Sequence, residues 1–182
     1  ALGLIQTMLD NFHEEIDGVS VFYISASNAP NYLIHRPVSS TDSATPAAAA
    51  VAVGCLVRVG LATNDQPKLE LAKRYLQAHL PRATRAPFAA ARLFLALDLL
   101  LHGNRVQITA GEGRELLLKA ARRTFAPTTI FAGPWAQEEV HIEGPAAIVC
   151  RNQTCSAPLT TADELIRAVS RGCGPITDQI FR

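Results

Sequence analysis

Apolar residues recur at helical spacing through the first half of the chain, and Pro, Gly and Asn interrupt them. Leu2, Ile5, Leu9 and Phe12 fall on one face of a helix over residues 2–13. From Val19 to Ser25 the spacing changes to alternation. The run Val-Ser-Val-Phe-Tyr-Ile-Ser is rich in β-branched and aromatic side chains, which predicts a short strand or an extended hairpin arm. Residues 26–45 read as a polar connection containing Asn28, Pro30 and Pro37. Pro46 then stands at a helix start, where a missing N–H removes no bond, and that helix runs to about Leu61. Asn64-Asp65-Gln66-Pro67 breaks it. A second helix is predicted over residues 68–79, with Leu69, Ala72, Leu76 and Leu80 in one stripe and His79-Leu80-Pro81-Arg82 as its stop. A third, densely apolar helix covers 87–102 and carries Phe88, Leu93, Phe94, Leu97, Leu100 and Leu101. Helix, short loop and antiparallel helix form the unit of α-hairpin folds.

The pattern changes again after Gly103. Arg105 to Thr109 reads as a strand, Glu112 to Thr124 as a helix with Leu116, Leu117, Ala120 and Ala121 inward, and Thr128 to Ala132 as a strand. Short turns at Ala110-Gly111 and Ala126-Pro127 make this a βαβ-like unit. Ala146 to Cys150 is a further strand. Thr161, with Glu164 three residues later and Asp163 in the first turn, caps a last helix over about 161–171. The tail from Cys173 to Arg182 reads as irregular. The fold class expected is therefore α+β and mostly helical, with helical hairpins in residues 1–103 and a small α/β lobe in residues 104–182.

Composition narrows the function classes. Hydrophobic residues make up 48% and charged residues 18%, so helices buried on more than one side, or a partner surface, are expected. A net charge of +1, with no basic block and no aromatic–Arg interleaving, argues against nucleic acid as a partner. The longest apolar run, Pro46 to Val57, is too short to span a bilayer, and Arg58 ends it. The opening residues show no signal-peptide pattern, and four cysteines without regular spacing point to the cytoplasm. The chain opens on Ala1 inside an apolar helical pattern, which suggests a piece of something longer or a processed chain. A residue left by tag removal is an equal alternative.

Candidate chemistry is sparse. Cys150 and Cys155 are a possible thiol pair, and with His141 and a fourth group, Cys173 or a distant carboxylate, they are imaginable zinc ligands. Two small buried thiols packing the C-terminal lobe is the favoured reading. Glu14, Glu15 and Asp17 read as solvated charge rather than paired acid–base carboxylates. Gly111-Glu112-Gly113 is a weak echo of a phosphate loop, with Glu112 where an anion would approach. His13, His35, His79 and His102 stand singly at helix ends, where terminal carbonyls account for them. Ser39, Ser40 and Ser43 have no accompanying His/Asp spacing. The alanines at 47–50 and 52 suit a helix whose backbone is closely approached.

Two motifs carry a family resemblance. One runs from Leu33-Ile34-His35-Arg36-Pro37 into Asp42-Ser43-Ala44-Thr45-Pro46 and the alanine helix, preceded by Asp17-Gly18-Val19-Ser20-Val21-Phe22-Tyr23. The other is Val149-Cys150-Arg151-Asn152-Gln153-Thr154-Cys155-Ser156-Ala157-Pro158-Leu159-Thr160. In this order the chain resembles the C-terminal third of the thioredoxin-domain proteins of the YyaL and spermatogenesis-associated protein 20 type. In that family a thioredoxin-like domain precedes a toroid of six helical hairpins, related to N-acylglucosamine 2-epimerases and six-hairpin glycosidases. The resemblance implies that residues 1–103 are part of an α/α toroid, and that Arg36 and Asp42 face its cavity as contacts for a sugar-like ligand. The family's Ser-Gly-Asn run at the helix start is replaced here by Ala47, Ala48 and Ala49, and the second Gly of its strand motif by Val19. Losing those polar groups costs a polyol site on the order of 1–3 kcal/mol for each unpaired hydroxyl. The expectation is thus a non-catalytic structural or interaction module, a pseudoenzyme without cofactor or metal, that binds a protein partner or itself through apolar helix faces. The alternative is a fragment of a toroid enzyme of carbohydrate metabolism. A redox role for Cys150 and Cys155 stands third.

Overall fold

A computed structural model describes residues 2–29, 35–132, 144–152 and 154–170. The chain divides into two compact units, one of Ala1–Gly60 with Asp65–Leu100 and one of Leu61–Asn64 with Leu101–Arg182. It is α+β, with six α-helices and two small sheets among the described residues.

The first unit opens with α1 (Leu2–Phe12), whose Ile5 is buried. The chain then turns into a hairpin of β1 (His13–Ile16) and β2 (Val19–Phe22), with Ile16 opposite Val19. Asp17 and Gly18 both take positive φ, +50° and +76°, which is the geometry an Asp-Gly two-residue hairpin turn requires. The alternation after Val19 predicts the second arm but not the first, because His-Glu-Glu-Ile reads as the polar end of a helix. Residues 13–16 gain strand geometry only by pairing with β2.

Helix α2 (Ala48–Thr63) is hydrophobic on most sides, and Val53, Leu56 and Val57 are completely buried. It is approached closely. A Cβ on Gly60 would lie 2.7 Å from Leu69 Cδ2, and one on Gly54 would lie 2.6 Å from the Arg92 guanidinium. Asn64, in the left-handed region at φ +56°, stops the helix. Asp65 starts the next by accepting a bond from the Lys68 N–H. That next helix, α3 (Gln66–Ala83), extends four residues past the expected stop and contains Pro81. Pro81 lacks the N–H that would bond to the Gln77 carbonyl. The loss falls in the last turn, where Gln77 is exposed to water and Thr84 N–H closes the helix on Leu80 O at 2.9 Å. A 3₁₀ turn at Pro87–Ala90 leads into α4 (Ala91–His102), which buries Leu93, Ala96 and Leu99. Phe88, in the 3₁₀ turn, is 97% exposed.

The second unit holds the sheet of order β4-β3-β5-β6. β3 (Asn104–Ile108) pairs in parallel with β4 (Thr129–Phe131) and antiparallel with β5 (Ala147–Arg151), and β5 pairs with the two-residue β6 (Thr154–Cys155). Helix α5 (Arg114–Arg123) makes the β3-α5-β4 crossover, so the expected βαβ unit is present. The helix begins two residues later than its sequence pattern suggests, because Gly111 and Gly113 both take positive φ, +137° and +94°. These glycines serve the turn into α5. Leu117 and Ala121 face inward, whereas Leu116, expected beside them, is 69% exposed. Four residues apart on a helix share a face and adjacent ones do not. Helix α6 (Ala162–Ser170) closes the lobe with Leu165 and Val169 against Val106, Leu117, Ala147 and Val149. Its capping box forms as the sequence indicates. Glu164 N–H donates to Thr161 Oγ1, and the Glu164 carboxylate accepts from the Thr160 and Thr161 amides. The irregular tail inferred from Cys173 to Arg182 lies outside the described residues.

Candidate functional site

Both residues singled out as ligand contacts bond to the protein itself. Arg36 ties α1, β1 and the segment just after β2 together. Its Nη2 donates to the carbonyls of Asn11 at 3.0 Å and Ser25 at 3.1 Å, and Nη1 pairs with the Glu14 carboxylate. The guanidinium plane lies over the Tyr23 ring, 3.9 Å from its centroid. Edge and face of the group are thus both engaged. Glu14, read as solvated charge, is one of these partners, and Glu15 pairs with Arg74 at 3.3 Å.

Asp42 has a different task. Oδ1 accepts the Ala47 N–H at 2.8 Å, just ahead of α2, and Oδ2 accepts the Arg92 N–H at 2.7 Å, in the first turn of α4. Its own N–H donates to Ala89 O at 2.8 Å. One carboxylate therefore caps two helix N-termini, where unpaired amides and the positive ends of the helix dipoles favour an anion. Arg36 and Asp42 share no partner among the described residues.

Two concavities of the first unit lie elsewhere. One, of about 140 Å³, has Tyr75, His79, Arg82, Ser40 and Thr41 among its lining, with alanines making up most of the rest. Tyr75 and His79, one turn apart on α3, stack at 4.1 Å, and the array continues through Phe22 to His13. His13 Nε2 lies 2.7 Å from Ser20 Oγ, and the His79 ring contacts the Ser20 backbone. Burial pushes the Tyr75 phenol up to about 12. It also pulls His79 below the ordinary histidine value, against the raising effect of the Ser20 backbone. Burial lowers His13 too, with Glu15 opposing. Along the sequence these histidines stand singly at helix ends. Their convergence on Ser20 depends on the hairpin folding against α3, and no spacing along the chain encodes that. The volume admits a few waters or one benzene-sized ring, which is smaller than a hexose.

The second concavity is an open apolar groove of about 400 Å³. Met8 and Phe12 of α1, Tyr23 and Ile24 beyond β2, and Val51 and Cys55 of α2 contribute to it. Neither concavity is lined by Arg36 or Asp42.

In the second unit Cys150 and Cys155 stand directly opposite each other across β5 and β6, and they are joined by a disulfide. This corrects the expectation of two buried thiols. β6 is the outermost strand, so Cys155 is exposed while Cys150 is half-buried. Cys150 and Cys155 of the imagined zinc set are thereby committed to each other, and His141 and Cys173 lie outside the described residues. No group of three or more metal-ligating side chains occurs among the described residues. No helix among them is long and apolar enough to cross a membrane. No protein-family model matches this chain, and no curated protein matches it.

Proposed function

We propose that this chain is an interaction module, non-catalytic by itself, that associates with a second copy through the apolar groove of its first unit. The groove is the observation that carries the reading. Leu4, Met8 and Phe12 are spaced i, i+4, i+8 along α1, so one apolar stripe enters the groove from its end. Leu4 is 77% exposed, and Val51 on the opposite wall is 37% exposed. Ala48, Val51, Ala52 and Cys55 continue the surface on α2 with helical spacing. The chain thus carries a convex apolar knob beside a concave apolar groove. A two-fold axis that seats each Leu4 in the partner's groove gives a closed, isologous dimer. The resemblance to the YyaL-type family is compatible with this reading, since α-hairpins of a toroid bury such faces against one another. The internal engagement of Arg36 and Asp42 favours it over a sugar-binding role for those two residues.

Sedimentation velocity on the whole chain, over a hundredfold concentration range, tests the proposal. The expected species is a dimer of twice the 19.6 kDa chain mass, converted to monomer by Leu4→Glu or Val51→Lys with the circular dichroism unchanged. A monomer throughout the range, or a dimer indifferent to both substitutions, refutes it.

A further inference from the structure

We infer that Cys150 and Cys155 form a thiol–disulfide exchange site, at which a dithiol reductant delivers two electrons and Cys155 is the sulfur attacked. The bond joins directly opposed residues of β5 and β6. β6 is only two residues long and ends the sheet. An attacking thiolate must approach the target sulfur from the side away from the leaving sulfur. For Cys155 that side faces outward, past the outermost strand, and the residue is exposed. For Cys150 the corresponding approach lies over β3, on the face where the buried Arg105 stands.

The leaving group is also favoured. Arg105 is the register partner of Cys150 on β3, so the two side chains stand on one face of the sheet. The Arg105 guanidinium, whose Nη2 donates to Gln107 Oε1 at 3.4 Å, brings a positive charge to the face on which the thiolate departs. Thiols of lower pKa leave faster.

The exchange takes two steps. A thiolate of the reductant bonds to Cys155 Sγ, the Cys150–Cys155 bond breaks, and Cys150 departs as a thiolate that takes a proton from water. The reductant's second thiol then attacks its own sulfur in the mixed disulfide. Cys155 is released and protonated, and the reductant is left as its disulfide. The chain gains two electrons and two protons, and the dithiol loses them.

Opening the bond leaves the lobe intact. Ala147 and Leu159 exchange two backbone bonds of 2.8 Å, and Ser156 N–H donates to Val149 O at 2.9 Å, all on the α6 side of the disulfide. Leu165 and Val169 of α6 sit in the core with Val106 and Val149, and neither cysteine belongs to that core. Reduction therefore frees β6 and its turn without removing a core contact, which separates this site from a staple that the fold needs.

The test uses the whole chain in native buffer with dithiothreitol as the probe, followed by differential alkylation and peptide mapping of every cysteine. The expected result is two new thiols per chain, at Cys150 and Cys155, with circular dichroism unchanged. A thioredoxin-class protein lacking its resolving cysteine should then be captured as a mixed disulfide on Cys155. Thiols that appear only once urea has unfolded the lobe overturn the inference in favour of a structural staple. A mixed disulfide on Cys150 overturns the assignment of the attacked sulfur. Full alkylation of both residues before any reductant is added overturns the bond itself.

Discussion

Replacing Asp42 by alanine separates a capping residue from a ligand contact. The carboxylate accepts one backbone N–H ahead of α2 and one in the first turn of α4, at 2.8 and 2.7 Å. Loss of a single N-terminal cap costs about 0.5–2 kcal/mol. The two sites are filled by one charged group, whose attraction to each helix end is worth about 0.3–1 kcal/mol. Asp42→Ala should therefore destabilise the first unit by about 2–4 kcal/mol. In a unit of this size that lowers Tm by roughly 10–20 °C. Asp42→Asn keeps one acceptor oxygen and turns an amide NH₂ toward the other N–H, so about half the loss should remain. Thermal unfolding followed by circular dichroism gives the total. Amide exchange at Ala47 and Arg92 locates it, since both amides should lose protection together. A residue serving only a ligand would change stability by less than about 0.5 kcal/mol. An Asp42→Ala chain that unfolds within that margin of the parent refutes the double cap and returns Asp42 to the list of ligand contacts.

Three further outcomes follow from the same structure. Cys150→Ser opens a loop of about six residues, for which the chain-entropy estimate is about 2 kcal/mol; the loss should appear in urea unfolding without reductant and vanish with it. His13 and His79 have folded-state values below the ordinary 6.5 because burial disfavours their charged form. The folded chain then binds fewer protons than the unfolded one once pH falls below about 6.5. Stability should be fullest above that value and decline toward pH 5, and His13→Gln with His79→Gln should flatten the slope; a flat profile in the parent refutes it. Gly60→Ala drives a Cβ into Leu69, with the Asp65 carbonyl 3.3 Å behind, and should cost about 1–3 kcal/mol. Gly54→Ala meets only the end of the Arg92 side chain, which can swing aside, so the helix-propensity gain of up to about 1 kcal/mol should offset much of the contact. Urea midpoints of the two variants decide whether they differ in that order.

The elements that could be read from the sequence are those whose signal is local. The stripe Leu69, Ala72, Leu76 gives α3, Thr161 with Glu164 gives the start of α6, and the alternation from Val19 gives β2. The elements that could not be read owe their form to a distant partner or to solvent. His13–Ile16 is a strand because β2 lies beside it. Pro81 stays helical because the bond it removes belongs to a last turn whose free carbonyl meets water. Leu116 is as apolar as Leu117, and only the position of the sheet decides which of them is buried.

The same division governs the candidate site. Arg36 and Asp42 were legible as residues with a task, since a charged side chain beside a proline turn or ahead of a helix rarely stands idle. Their task could not be read from the motif, because a capping carboxylate and a ligand-binding carboxylate present the same residue at the same helix N-terminus. What distinguishes them is whether the waiting N–H groups belong to the protein. For Asp42 they do, at Ala47 ahead of α2 and at Arg92 in the first turn of α4. The alanines at 47–49 fit that arrangement. With Asp42 holding the Ala47 amide and Ser39 reaching the Ala48 amide, the start of α2 no longer needs polar side chains of its own. The small residues leave Ala49 and Ala50 free to be buried, so the alanine run is the sequence signature of a helix start capped from a distance.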